Sequence, residues 1–285
     1  MLKKILLLLT LTSFLFSQEV IHSSISTYYE NKTFTNSTQK SDGVIYGLGL
    51  DLHHNSSEFK LAYEYGDTNT KQPPLTEDLR TDKLFFKYNY SLNDSFALNV
   101  NYINILNDNI AITDGGIAYG AGLSYNPSKK VETNFTQFYT HYDDFNVWQS
   151  DLKLEYKTKI NGVKVGFISS TKYIKIDDIN LNKFTKYAQD DYLTTGLKIH
   201  AHYNSYHFGM GVFYGKRAFA IMDDGFKIQH HAMEFDRTYA IGAGKSISDF
   251  VLRFQYIYQR AIELPSPKQN VVDVQNLRFI ANYKF

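Results

Sequence analysis

The chain has 285 residues, with 30 Lys and Arg against 29 Asp and Glu, no cysteine, and 23 Tyr, 21 Phe and one Trp. Such a balance gives no support to a nucleic-acid partner, and the missing thiols exclude disulfides, thiolate metal sites and thiol catalysis. No segment beyond the first sixteen residues stays apolar for the roughly 20 residues that a spanning helix needs, which excludes a helical membrane protein.

In chain order, Met1-Leu-Lys-Lys forms a positive n-region, Ile5 to Phe16 an apolar h-region, and Ser17 a small residue before Gln18. This pattern predicts a secretory signal peptide over 1–17 and a mature domain over 18–285. The apolar run is about a dozen residues, too short to remain as an anchor. No Cys follows the expected cleavage point, so a lipoprotein is excluded. Loss of Lys3 and Lys4 leaves 28 basic against 29 acidic residues.

Six tight turns follow at hairpin spacing: Asn55-Ser56, Asn93-Asp94-Ser95, Pro127-Ser128-Lys129, Asn161-Gly162, Asn204-Ser205 and Ser248-Asp249. Asn-Gly carries the strongest signal, because a type I′ turn needs positive φ at both central residues. The turns divide the chain into strands over 20–30, 43–53, 58–66, 82–92, 96–105, 117–126, 130–142, 148–159, 163–173, 191–203, 206–216, 233–247, 250–260 and 274–285. That makes fourteen strands, with twelve as the alternative. A parity test supports the register. Residues opposed across a hairpin must face one side, and Ile160 with Val163, Tyr203 with Tyr206, Ile247 with Phe250, Leu52 with Phe59, Leu92 with Phe96, and Tyr125 with Val131 all match.

One face of each strand is apolar and the other polar, as in Leu84-Phe86-Tyr88-Tyr90-Leu92 and Phe250-Leu252-Phe254-Tyr256-Tyr258. Rings gather at two levels: Tyr90, Tyr125, Tyr156, Tyr203, Tyr206 and Tyr283 near the turns, and Tyr29, Tyr46, Tyr119, Trp148, Tyr173 and Tyr214 near the longer loops. Two levels of rings suit the two interfaces of a bilayer. Polar inner faces argue against a soluble sandwich, whose facing sheets pack dry. The expectation is therefore an all-β, transmembrane, antiparallel up-and-down barrel with short periplasmic turns and longer outer loops.

The final strand, Asn276 to Phe285, alternates Leu277, Phe279, Ala281, Tyr283 and Phe285 with a mostly polar face. It resembles the closing strand of bacterial outer-membrane β-barrels, in which a terminal aromatic serves as an assembly signal. The resemblance implies that Tyr283 and Phe285 are read by the barrel-assembly machinery during insertion. In length and strand count the chain is similar to monomeric fourteen-strand porins. That likeness implies an outer-membrane location, lipid as the surrounding partner, and a monomer rather than a trimer.

The first expected strand begins close to Gln18, leaving no room for an N-terminal hatch. Passive diffusion of small hydrophilic solutes is the function this predicts, with no cofactor. Inward-facing Lys87, Lys153, Lys198 and Arg278 at mid-depth, and Lys60 and Arg253 nearer the turns, point to a weak anion preference. A mixed-charge lumen whose pairs cancel is the alternative. His200, His202 and His207 share one inward patch and form a candidate pH- or metal-responsive cluster, with no carboxylate in register to complete a metal site. The plainer reading has them lining a wet lumen.

A barrel-type lipase or protease is the enzymatic alternative. His141 lacks a Ser partner, and Glu234 and Asp236 beside His230 and His231 are the nearest approach to a protease rim. His230 and His231 read more simply as solvated surface. Outer loops 31–42, 67–81, 174–190 and 217–232 are long enough for a structural or adhesive role, though their composition suits solvated loops.

Overall fold

Strict alternation of apolar and polar residues drives each segment between the turns into an extended strand with one oily face. The computed structural model describes residues 22–71, 75–178, 188–264 and 270–285, and the expected signal peptide over 1–17 lies outside them. The strands are β1 (His22–Thr35), β2 (Lys40–His54), β3 (Ser57–Thr70), β4 (Leu79–Ser91), β5 (Phe96–Asp108), β6 (Ile117–Ser128), β7 (Val131–His141), β8 (Asn146–Ile160), β9 (Val163–Asp177), β10 (Asp191–Tyr203), β11 (Tyr206–Arg217), β12 (Ile221–Met222), β13 (Lys227–Ile228), β14 (Met233–Ile247), β15 (Phe250–Glu263) and β16 (Val271–Lys284). All but β12 and β13 join one closed antiparallel barrel of fourteen strands. The seam is β1 against β16, and Ser23 and Phe285 exchange both backbone hydrogen bonds (3.1 and 3.0 Å).

The turns set the register. Ile160 pairs with Val163, Tyr203 with Tyr206, Ile247 with Phe250 and Leu52 with Phe59. Asn161 and Gly162 both take positive φ (47° and 86°), and Asn55, Asn204 and Ser248 take it at the first turn position. At the three-residue turn, Asn93 Oδ1 accepts hydrogen bonds from the Ser95 and Phe96 amides (2.9 and 3.0 Å). One turn differs from expectation. Tyr125 pairs with Thr133, not Val131, and Ser128 pairs with Val131. The chain turns at Lys129-Lys130, and the register shifts between Tyr125 and Ser128, a stretch that includes Pro127. Proline has no amide proton for the ladder, so an irregularity there is the economical solution.

Strands run further at the loop end than expected. β1 reaches Thr35 and β2 starts at Lys40, which shrinks the expected 31–42 loop to a few residues. The expected 217–232 loop is not a solvated loop at all. Residues 218–222 are buried, and the segment folds inward through β12, a 3-10 turn (Asp223–Gly225) and β13.

Outward side chains form a continuous exposed belt that includes Leu48, Leu98, Leu152, Leu197, Met210, Ile241 and Phe279. Tyr90, Tyr125, Tyr203 and Tyr206 flank it at the turn end, and Tyr46, Tyr119, Trp148 and Tyr214 at the loop end. The inner face departs from expectation in its outer half. Phe85, Ile103, Ile105, Phe138, Val147, Ile174, Ile176 and Phe213 are inward and buried, packed with the inward segment. A second apolar cluster joins Phe34, Met233, Phe235, Ala261, Val272 and Val274.

Neighbouring residues on opposite faces test this partition. Ile241 lies on the belt and Ala240 lines the lumen. Ile241→Arg is expected to destabilise the barrel by about 2–4 kcal/mol in reversible unfolding in lipid, and Ala240→Arg by under about 1 kcal/mol. Equal costs would mean that the faces are misassigned.

Candidate functional site

The inward segment, Ala218 to His231, is held by three kinds of contact. Apolar burial comes first: Phe219 packs on Phe145 (ring centroids 4.8 Å apart) and Tyr142 (6.1 Å), and Phe226 faces Phe85 (6.4 Å). Next, Gln149 of β8 clamps the backbone. Its amide nitrogen donates to the Ile221 carbonyl (2.7 Å), and its carbonyl accepts from the Ile221 amide (2.8 Å). Finally, the tip carries Asp223 and Asp224 into a group of lysines. Lys198 Nζ stands 3.1 Å from Asp223, Lys153 Nζ 2.9 Å from Asp224 Oδ2, and Lys87 donates to the Asp224 carbonyl (3.2 Å). Gly225 takes φ 97°, and a Cβ there would lie 2.6 Å from Asn101 Oδ1, so only glycine fits the tip without displacement.

Behind the tip, His230 Nδ1 donates to Asp108 Oδ2 (2.8 Å), and the Thr113 hydroxyl lies 3.0 Å from the His230 carbonyl. Burial lowers the His230 imidazole from 6.5 to about 4, Lys83 adds to this, and Asp108 opposes it. Burial and the neighbouring His230 also lower His231. Asp223 is held well below the usual carboxylate range, chiefly by Lys198, with Lys227 and Arg278 contributing against the effect of burial. These two histidines are therefore not solvated surface, as their sequence suggested. Phe34 meets the His231 ring edge-on at 6.1 Å.

A charged network closes the sector under β1–β4. Arg278 pairs with the buried Glu30 through Nε (2.6 Å) and Nη2, Lys227 of the inward segment approaches Glu30 at 3.9 Å, and Lys83 pairs with Glu64 (2.5 Å). The Tyr28 hydroxyl donates to Glu64 by crossing Gly47, where a Cβ would sit inside the ring. Below the inward segment, toward the turn end, lies an open chamber of about 1080 Å3.

The expected lumen cations divide by these contacts. Lys87, Lys153 and Lys198 converge on the inward tip, and Arg278 is committed to Glu30. Lys60 sits between Glu58 (2.8 Å) and Asp51 (3.2 Å), beside His53. Arg253 lines the chamber and has no ion-pair partner among the described residues. Asp51, His53 and Glu58 bring ligand-type atoms within 4.8 Å of one another, but the Lys60 ammonium already serves both carboxylates. His202 and His207 meet Nδ1 to Nδ1 at 2.6 Å with perpendicular rings, and His207 Nε2 contacts the Ser246 hydroxyl (2.7 Å). His200 stands apart from that pair, with its ring 5.7 Å from His202. Glu155 is 3.9 Å from His200 Nε2, reached across Gly166, which has no side chain to block the ring.

Residues considered for hydrolysis do not converge. His141 contacts Asn146 (2.8 Å), Glu234 pairs with Lys216 (2.8 Å), and Asp236 faces Arg237 and Arg260. His230 turns to Asp108, away from the expected rim. At the seam, Phe285 stacks on Tyr283 (6.1 Å) and Tyr283 packs on Phe250 (4.8 Å).

No family model matches this chain, and no curated protein matches it. Solved structures of similar fold include a bacterial polysaccharide outer membrane secretin (TM-score 0.57, 8% identity, 92% of this chain and 98% of that one). The CymD monoaromatic hydrocarbon channel has a TM-score of 0.56 at 13% identity, covering 94% of this chain and 89% of that one. The outer membrane protein Omp33 of Acinetobacter baumannii has a TM-score of 0.52 at 9% identity, covering 93% and 99%. At these identities the likeness is one of fold, that of outer-membrane β-barrel channels.

The Gln149 clamp is buried, so its removal leaves two backbone groups of Ile221 unpaired. Gln149→Leu is expected to weaken seating of the inward segment by about 2–4 kcal/mol. Amide exchange of residues 218–222 should then quicken by about two orders of magnitude while the barrel strands stay protected. Unchanged exchange would show that the clamp does not hold the segment.

Proposed function

We propose that this chain is a porin-like channel of a bacterial outer membrane, that small hydrophilic solutes cross it by passive diffusion, and that the inward segment is its gate. One observation carries the reading: an apolar, aromatic belt encircles a closed barrel whose interior holds a charged, water-accessible chamber. Among soluble folds, nothing would cover such a belt. The solved structures of like fold include two conduits by name, a hydrocarbon channel and a polysaccharide secretin. In this reading the 1–17 segment exports the chain, and Tyr283 and Phe285 present the closing strand to the barrel-assembly machinery. The monomer then sits in outer-membrane lipid.

With the segment seated, the outer half of the lumen is packed, so conduction requires it to withdraw. Withdrawal frees Lys87, Lys153 and Lys198 from the tip and leaves Arg253 beside the path, the arrangement that supports a weak anion preference. Acid works toward release. With the segment seated, His230 resists protonation down to about 4, so seating loses stability as pH falls from 6.5 toward 4. Asp223, whose range is depressed, contributes only at lower pH, since its stabilisation is lost below the ordinary carboxylate value.

Reconstitution in planar bilayers is the test. Discrete conductance steps are expected, more frequent at pH 5 than at pH 7, with a reversal potential on the anion side in a salt gradient. Absence of steps under both conditions would remove the channel reading, and a cation-side reversal would remove the preference.

A further inference from the structure

Arg217, the last residue of β11, is fully buried, yet among the described residues it has no carboxylate within ion-pair distance. Nη2 donates to the Thr238 hydroxyl, while Nε and Nη1 have no hydrogen-bond partner among the described residues. Asp236, the carboxylate whose charge acts on it, is engaged by Arg237 and Arg260 (3.4 and 3.5 Å). Phe213 and Phe235 flank the guanidinium, at 5.8 and 5.5 Å from its central carbon. Those contacts offset part of the cost of burying the cation, but they supply no acceptor for its protons. An orphaned, buried guanidinium is expensive, and a site that keeps one is built for a negative partner.

Arg217 also borders the chamber, at the end away from its mouth, together with Thr238, Gln229 and Gln259. Gln229 Oε1 is likewise buried and has no hydrogen-bond partner among the described residues. Nearer the mouth, Arg253 and Lys284 line the chamber with no ion-pair partner among the described residues, so an anion that enters meets attraction along its way. Phe213 and Met222 give the same end an apolar surface.

We propose that the blind end of the chamber is a binding site for a small organic carboxylate, with Arg217 as its charge partner, Gln229 and Gln259 as polar contacts, and Phe213 and Met222 against its apolar body. The guanidinium is enclosed in this state, so the carboxylate reaches it by shifting the Gln229 and Met222 side chains that border the same end, and a phosphate, with no apolar body, gains nothing from Phe213 and Met222. This deepens the channel reading by naming a class of solute, and rests on that reading for its physiological sense. Binding itself is measured without conduction, so the two can fail separately.

The test is calorimetric titration of the refolded, detergent-solubilised protein with benzoate, benzamide and inorganic phosphate, folding being checked by heat-dependent gel mobility. Saturable benzoate binding is expected, with no benzamide binding and weaker phosphate binding. Arg217→Met should weaken benzoate by about tenfold or more, Arg217→Lys by about fivefold, and Arg253→Met by under about threefold. The proposal is overturned by absent benzoate binding, by equal benzamide or tighter phosphate binding, by wild-type affinity in Arg217→Lys, or by a loss in Arg253→Met as large as that at Arg217. Should Arg217→Met not fold, the Arg217→Lys variant and the benzoate–benzamide contrast decide the matter.

Discussion

Backbone amides and carbonyls cannot be left unpaired in hydrocarbon, and this constraint shapes the rest of the molecule. A sheet satisfies it only by closing, which here happens where Ser23 meets Phe285. Closure commits alternate side chains to lipid or to lumen, so the period-two pattern becomes an inside and an outside. Fourteen strands tilted by about 40° enclose a backbone radius on the order of 14 Å, too wide for wall side chains to fill. The interior must then hold water or another piece of chain, and it holds both. Water has access to the chamber at the turn end, and the segment between β11 and β14 fills the loop end.

The inward segment is held mainly by what is dry. Ala218 to Met222 are buried against an apolar wall, and the Gln149 clamp satisfies the backbone where water cannot. Ion pairs at the tip face the chamber, and exposed pairs of this kind contribute about 0.2–1 kcal/mol each. Their value lies in register, since three lysines from β4, β8 and β10 point the tip to one place. On the proposed reading, a gate with an apolar root and a charged tip would respond to pH through groups such as His230 without unfolding the barrel, whose hydrogen bonds lie in the wall.

Strand number, faces and most turns were legible because they depend on neighbours a few residues apart. Asn161-Gly162 needs positive φ, and Ile160 and Val163 must then face one side. The shift near Pro127 escaped because the displaced turn and the one-residue irregularity together move the partner of Tyr125 by two, from Val131 to Thr133, which leaves side-chain parity unchanged. The inward segment escaped for a different reason. Lys153 and Lys87 meet Asp224, which is 71 and 137 residues away, and no periodicity links them. Two local signals were present nonetheless. Ala218-Phe-Ala-Ile-Met222 is too apolar for a solvated loop, and Phe85, Ile103, Phe138, Ile174 and Phe213 break the polar inner pattern only near the loop end. Read together, they describe an apolar plug and its socket.

Position 225 offers a direct test, since the chain has no native cysteine to interfere. A Cβ at Gly225 would lie 3.7 Å from Asn101 Cβ, the separation that a disulfide requires. With Asn101→Cys and Gly225→Cys in one chain, oxidation should tie the tip to the wall and abolish single-channel conductance in planar bilayers, and reduction should restore it. Equal conductance in the tied and free states would contradict a gate built from this segment.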